Sequence, residues 1–69
     1  MSIREKIGSE LRALRIERKL TTHELGELTG LAHSHIVRIE GGRYNIRLDM
    51  LNLLTEALGA TITIQKNNE

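Results

Sequence analysis

Two Ser/Thr-x-x-Glu boxes fix where helices can begin in this chain: Ser2 with Glu5, and Thr21 with Glu24. In such a box the hydroxyl accepts a backbone N–H three residues on, and the glutamate reaches back to the N–H of the cap. Two of the donors that a helix start leaves unpaired are thereby satisfied. Behind the first box, Ile3, Ile7, Leu11 and Leu14 recur at helical spacing, which predicts a helix to about Arg18. Behind the second, Leu25 and Leu28 supply the apolar face of a short helix that Gly30 stops, because glycine tolerates the left-handed conformation of a helix end. A third helix is expected from about His33 to Glu40, with Ile36 and Ile39 inward and Gly41 and Gly42 at its end. A loop through Asn45 then leads to a fourth, about Arg47 to Leu58, with Leu48, Leu51, Leu54 and Leu58 as its main apolar face and Gly59 as its stop. Proline is absent, and neither a repeat nor a low-complexity tract occurs.

The period then changes. Residues 60–65, Ala60-Thr61-Ile62-Thr63-Ile64-Gln65, alternate small or polar with apolar and are rich in β-branched side chains, which reads as a strand. A lone strand cannot satisfy its own backbone groups, and the rest of the chain offers no second one. Antiparallel pairing with the same strand of a second copy is the symmetric solution. Ile62 and Ile64 would then share one face and pack on a second apolar stripe of the fourth helix, Met50, Leu53 and Ala57. That stripe is either ordinary core or a dimer surface, and the unpaired strand after it favours the dimer surface. The alternative is that the segment folds back as irregular chain on its own domain. Residues 66–69 read as a frayed end. The expected architecture is all-α: four helices in residues 1–59, and a C-terminal strand that joins two copies.

Size and composition exclude several classes. A chain of 69 residues makes one domain with a marginal core, and chains of this size often gain stability by oligomerising. Without cysteine, neither a disulfide framework nor a thiolate metal site is open to it. No long apolar run, signal peptide or lipidation motif is present, so the expectation is a soluble protein of the cytoplasm with no membrane partner. Neither a nucleophile–base pair nor a glycine-rich phosphate loop joined to a strand appears, and a chain this short has little room for an enclosed pocket. An enzyme is not expected. His33 and His35 are two apart, so they do not share a helix face, and no further ligand follows at zinc spacing. No metal or other cofactor is expected.

The formal net charge is only +1, from 10 basic and 9 acidic residues. Its distribution says more. From Leu28 to Leu48 the only acid is Glu40, while Arg38, Arg43 and Arg47 and two of the three histidines lie there. An acid-poor region in a nearly neutral chain can present a basic face to phosphates, although chance segregation would look the same.

The stretch Leu20 to Gly42 sharpens this. Two helices that cross closely need a small residue inside the first, and Gly26 is there; the turn needs positive φ, and Gly30 follows four residues later. Leu25, Leu31, Ile36 and Ile39 fall where they can lock the pair together, and His33, Ser34, His35 and Arg38 offer short polar or basic side chains to a groove. The pattern resembles the phage-repressor-like (XRE/Cro) helix-turn-helix family over residues 7–59 without a gap. The matching residues are Leu11, Arg15, Thr21, Glu24, Leu25, Gly26, Gly30, Ile36, Ile39, Glu40 and Gly42, then Leu48, Leu51, Leu54, Ala57, Leu58 and Gly59. Departures are Gly26 for a usual alanine, at a cost of roughly 1 kcal/mol to the helix, Arg47 at a position where a Ser or Thr cap is common, Thr55 for alanine, and Thr29 for an apolar residue.

The resemblance implies a lambda-repressor-like domain with the helix from about His33 in the major groove of double-stranded DNA. His33, Ser34 and Arg38 would contact bases. Thr22, His23, His35, Arg43, Tyr44 and Asn45 would meet phosphates, although His35 is also open to a solvent role and Tyr44 to simple packing. Arg15 and Glu40 match a partly buried salt bridge between the first helix and the recognition helix. A homodimer on a near-palindromic operator, acting as a transcriptional regulator and most simply as a repressor, is the expected function. The chain ends soon after this unit, so regulation is expected through concentration, dimerisation or a protein partner. The alternative is an antitoxin of the HipB type that binds a toxin and autoregulates its operon.

Overall fold

A computed structural model describes residues 2–67 of the chain. Those residues form α1 (Ile3–Glu17), α2 (Thr22–Thr29), α3 (His33–Glu40) and α4 (Leu48–Ala57). Both capping boxes are made. The Ser2 hydroxyl accepts the Glu5 N–H at 3.2 Å and the Glu5 carboxylate accepts the Ser2 N–H at 3.0 Å. At α2 the matching distances are 3.0 Å for the Thr21 hydroxyl and 2.8 Å for the Glu24 carboxylate. The bonds from Ser2, its backbone N–H first, hold the Glu5 carboxyl below its ordinary pKa. Arg47 is the N-cap of α4 and gives no side-chain hydrogen bond, leaving Asp49 in the first turn to complement the helix dipole.

The core is Leu11, Leu25, Ile36, Ile39, Leu51, Leu54 and Leu58. Helix α3 packs on both α1 and α2, and α2 packs on α4. Two backbone approaches set this geometry. A Cβ at Gly8 would overlap the Ile39 carbonyl oxygen and lie 2.7 Å from that of Glu40, so α1 can cross the end of α3 only on a glycine. A Cβ at Gly26 would lie 2.6 Å from the Leu31 carbonyl oxygen. The glycine that lowers helix propensity in α2 is therefore what lets α2 and the turn before α3 close.

These contacts overrule part of the apolar pattern. Leu28, expected inside, is 62% exposed. At about 100° per residue, Gly26 and Thr29 lie to one side of Leu25 and Leu28 to the other, and the glycine contact selects the first side. Thr29 is half-buried there, and its hydroxyl donates to the Leu25 carbonyl at 2.8 Å. Ile3 and Leu48 are also outside, at 68% and 74%. Each is the first residue of its helix, where side chains lean back past the N-terminal end and beyond the packed length. Buried Thr55 satisfies its hydroxyl on the Asn52 carbonyl at 3.0 Å.

The expected strand over 60–65 is not formed in this chain: among the described residues no regular element follows Ala57. The last backbone link is the Ala60 N–H to the Thr55 carbonyl at 2.8 Å. With no neighbouring strand among the described residues there is nothing for a ladder to pair with. Irregular chain instead runs along α1, where Ile62 borders a groove with Ile7, Leu14, Ile16 and Leu51. Within the single chain Ile62 and Ile64 do not pack on Met50 and Leu53: neither Met50 nor Leu53 borders that groove, and Ile64 is 98% exposed. The second stripe of α4 is also divided, with Met50 and Ala57 packed against the core and Leu53 outward. Of the tail expected to fray, residues 68 and 69 lie outside the described residues.

The last fastening is ionic. The Arg15 guanidinium grips Glu40 in a two-pronged bond, Nε to Oε2 at 2.7 Å and Nη2 to Oε1 at 3.0 Å. Its third prong donates to the Leu20 carbonyl at 2.8 Å. The side chains are only 12% and 7% exposed. The bond to Glu40 raises the pKa of Arg15 further above its already high ordinary value, so the guanidinium keeps its charge. Removing one partner of a buried pair strands the other charge, at about 3 kcal/mol. Arg15→Ala is therefore expected to lower the thermal midpoint by about 10 °C or more, since 1 kcal/mol moves a domain this small by about 4–8 °C. A melting curve unchanged from wild type would show that the pair does not hold α3 to α1.

Candidate nucleic-acid interface

The surface opposite the core of α3 is built from short local rules. Gly30 ends α2 at φ 78°, and two residues later Ala32 starts α3 without a side-chain cap. No acid occupies the first turn of α3, so its positive dipole end is left uncompensated. Ile36 and Ile39 are buried. That burial turns Ser34 and Arg38, one turn apart, outward, with His33 exposed at the flank. Val37, 49% exposed, stands on the same outer surface. Val37 is absent from the polar set that the sequence pattern offers to a groove; its place between buried Ile36 and Ile39, one turn apart, is what turns it outward. The only acid of α3, Glu40, is turned in to Arg15, so the outer surface of α3 presents no carboxylate.

The flanking residues hold one another. The rings of His23 and His33 stack with centroids 3.8 Å apart and planes 25° apart. This brings the first turn of α2, with Thr22 and His23, against the first turn of α3. The family resemblance implies separate contacts for the two histidines, one to phosphate and one to a base; the fold makes them a single pair.

On the other side, His35 is half-buried and meets the Tyr44 ring edge-on, at 4.5 Å between centroids and 85° between planes. Its Nε2 is buried and has no hydrogen-bond partner among the described residues. The phosphate role suggested for His35 loses that nitrogen, since a sealed atom cannot reach an anion in this conformation. Tyr44 is itself half-buried against the core. Its ring faces Arg38, whose Cζ lies 6.0 Å from the ring centroid.

The loop after α3 is tied to that helix by the Gly42 N–H to the Ile39 carbonyl at 3.1 Å and the Arg43 N–H to the Arg38 carbonyl at 3.2 Å. Arg43 and Asn45 are exposed beyond it. Arg38, Arg43, Tyr44 and Asn45 thus gather at one end of α3, and Thr22, His23, His33 and Ser34 at the other. Among the described residues no group of three or more histidines, aspartates or glutamates is placed to hold a metal, and no helix is long and apolar enough to cross a membrane.

Comparison with known proteins agrees with this geometry. Over 57 residues the chain is 39% identical to the immunity repressor protein of Bacillus phage phi105, covering 83% of this chain and 40% of that one. Over 55 residues it is 42% identical to the HTH-type transcriptional repressor RghR of Bacillus subtilis (strain 168), covering 78% and 41%. The chain thus spans about two fifths of the length of these relatives. The crystal structure of the clp gene regulator ClgR from C. glutamicum superposes with a TM-score of 0.87 at 29% identity, over 90% of this chain and 80% of that one. The helix-turn-helix domain model matches residues 6–63, and the chain belongs to the helix-turn-helix domain family.

Proposed function

We propose that this protein binds double-stranded DNA in a sequence-specific way, as a homodimeric transcriptional repressor with α3 in the major groove. The observation that carries this reading is the outer surface of α3. Ser34, Val37 and Arg38 stand out from a helix whose core side is locked, and its only carboxylate is consumed by Arg15. A major groove admits one helix and offers guanine acceptors to an arginine and a thymine methyl to an apolar side chain. His33, Ser34 and Arg38 are the base-contacting set, and Val37 joins them as an apolar contact. Thr22, His23, Arg43, Tyr44 and Asn45 flank the helix where the two phosphate backbones of a groove would pass. The repressor names of the two relatives support the same reading. No observation favours the antitoxin alternative.

Dimerisation is part of the proposal. Leu53, Ile62 and Ile64 are 43%, 44% and 98% exposed, and no backbone hydrogen bond is made beyond Ala60 among the described residues. Such a tail is an open edge for a second copy. Residues 60–65 of two copies pairing antiparallel would exchange the α1 groove for each other. Two recognition helices would then lie about 34 Å apart, one turn of duplex, on a near-palindromic site.

Selection of bound duplexes from a random pool tests the reading directly: a palindromic consensus is expected, and failure to enrich any sequence would sink it. Arg38→Ala should cost about 1–3 kcal/mol of binding to the selected duplex and relax preference at one base of each half-site. Unchanged affinity and unchanged preference would remove Arg38 from the base-reading set.

Binding should also weaken steeply with salt, because each phosphate neutralised adds roughly 0.9 to the slope of log affinity against log salt. A slope near zero is incompatible with the flanking phosphate contacts. Deleting residues 60–69 should yield a monomer that binds the operator far more weakly but keeps the half-site preference. If full-length and shortened proteins sediment as one and the same species at micromolar concentration, the tail is not the dimerisation element.

A further inference from the structure

We infer that Tyr44 is a positioning residue for Arg38: its ring holds the arginine over the outer surface of α3 before DNA arrives, and so sets which base that arginine reads. The inference rests on the DNA-binding reading above and deepens it.

Three observations lead to it. The first is the isolation of Arg38. Among the described residues no carboxylate or hydrogen-bond acceptor holds its guanidinium; the group placed near it is the Tyr44 ring, with Cζ 6.0 Å from the centroid. That distance is the outer limit at which a cation is drawn to a ring face. The second is that the ring cannot drift. It is half-buried, packed against the core, and borders a small cleft with Ile7, Ile39, Ile46 and Leu51. His35 closes on it edge-to-face at 4.5 Å, with its Nε2 sealed and unpartnered. The third is backbone continuity. The Arg43 N–H donates to the Arg38 carbonyl at 3.2 Å, so the residue just before Tyr44 is tethered to Arg38 itself.

An arginine is long and rich in rotamers, and ordering it on binding is costly. A ring fixed to the core offers a flat apolar platform that narrows those rotamers without a competing carboxylate. A guanidinium lying along an aromatic ring keeps its N–H fork free at the edge, where a guanine's two acceptors can take it. On this account Tyr44 acts through its ring. A phosphate contact would act through its hydroxyl, and the two roles separate experimentally.

The test uses the full chain and a duplex recovered by selection with the wild-type protein, together with that duplex altered at the base whose preference Arg38→Ala relaxes. Tyr44→Phe keeps the ring and should retain discrimination at that base within about twofold, any loss of a hydroxyl–phosphate contact falling on all duplexes alike. Tyr44→Leu should reduce discrimination at that base about fivefold or more, the lower end of what a bidentate contact contributes. In an Arg38→Ala background, Tyr44→Leu should then add nothing at that base.

Loss in Tyr44→Phe equal to that in Tyr44→Leu would overturn the inference and assign the effect to the hydroxyl. A Tyr44→Leu loss spread evenly over all duplexes, and additive with Arg38→Ala, would also overturn it. Arg38→Ala without effect on any base preference would overturn the base-reading role beneath it instead, which marks that failure apart. A readout without DNA guards against a variant that does not fold. In the free wild-type protein the Arg38 δ-methylene protons should show a ring-current shift by NMR, kept in Tyr44→Phe; their absence in the wild type would refute the platform.

Discussion

Glu40 sits at the last turn of α3 with 7% of its side chain exposed, and a carboxylate so placed has to be matched. Arg15 matches it with two prongs and spends the third on the carbonyl of Leu20, at the approach to α2. One guanidinium thus joins α1, α3 and the entry to α2. Helix α3 has only 8 residues, too few to be stable alone in water, so its orientation comes from what it is fastened to. The same bond has an electrostatic consequence at distance. It withdraws the only negative charge of α3 from the outer surface, which leaves that surface suited to a polyanion although the chain as a whole is nearly neutral.

The pair works only because the helices can come close enough. At Gly8 and at Gly26 a carbonyl oxygen of the neighbouring segment occupies the space a Cβ would need. Interiors are packed to near crystalline density, so a contact of this kind fixes rotation as well as distance. It decides that Leu11 and Leu25 point inward, and with Leu25 inward that Thr29 is sheltered while Leu28 is not. A helix with two plausible apolar faces buries the one that its closest backbone approach selects.

Around α3 the side chains form two small clusters. The stacked pair His23 and His33 joins the starts of α2 and α3, and the chain of Arg38, Tyr44 and His35 joins the end of α3 to the loop after it. Taken one at a time, His23, His33, Arg38 and Tyr44 are proposed contacts for a phosphate or a base. Read together, they are also each other's supports, and a surface whose side chains are already ordered loses less entropy when it binds.

Local sequence pattern sets the helices, their ends to within a residue or so, the class of fold, and the stretch that holds the candidate interface. Those properties depend on residues three or four apart, such as Ser2 with Glu5 or Thr21 with Glu24, and on glycines that accept a left-handed turn, so local pattern was enough. Resemblance, rather than pattern, linked Arg15 to Glu40 across the chain. What depends on distant segments meeting became legible only in the folded chain. Gly8 could not be read as a crossing point until α3 lay on it. Leu28, Ile3 and Leu48 looked like core because helical spacing does not say which side a neighbour takes or how far along the helix it reaches. The Tyr44 ring found His35 and Arg38 only when the loop closed back on α3. The tail shows the converse: residues 60–65 have the composition of a strand, but a ladder needs a second backbone, and among the described residues of this one chain none supplies it.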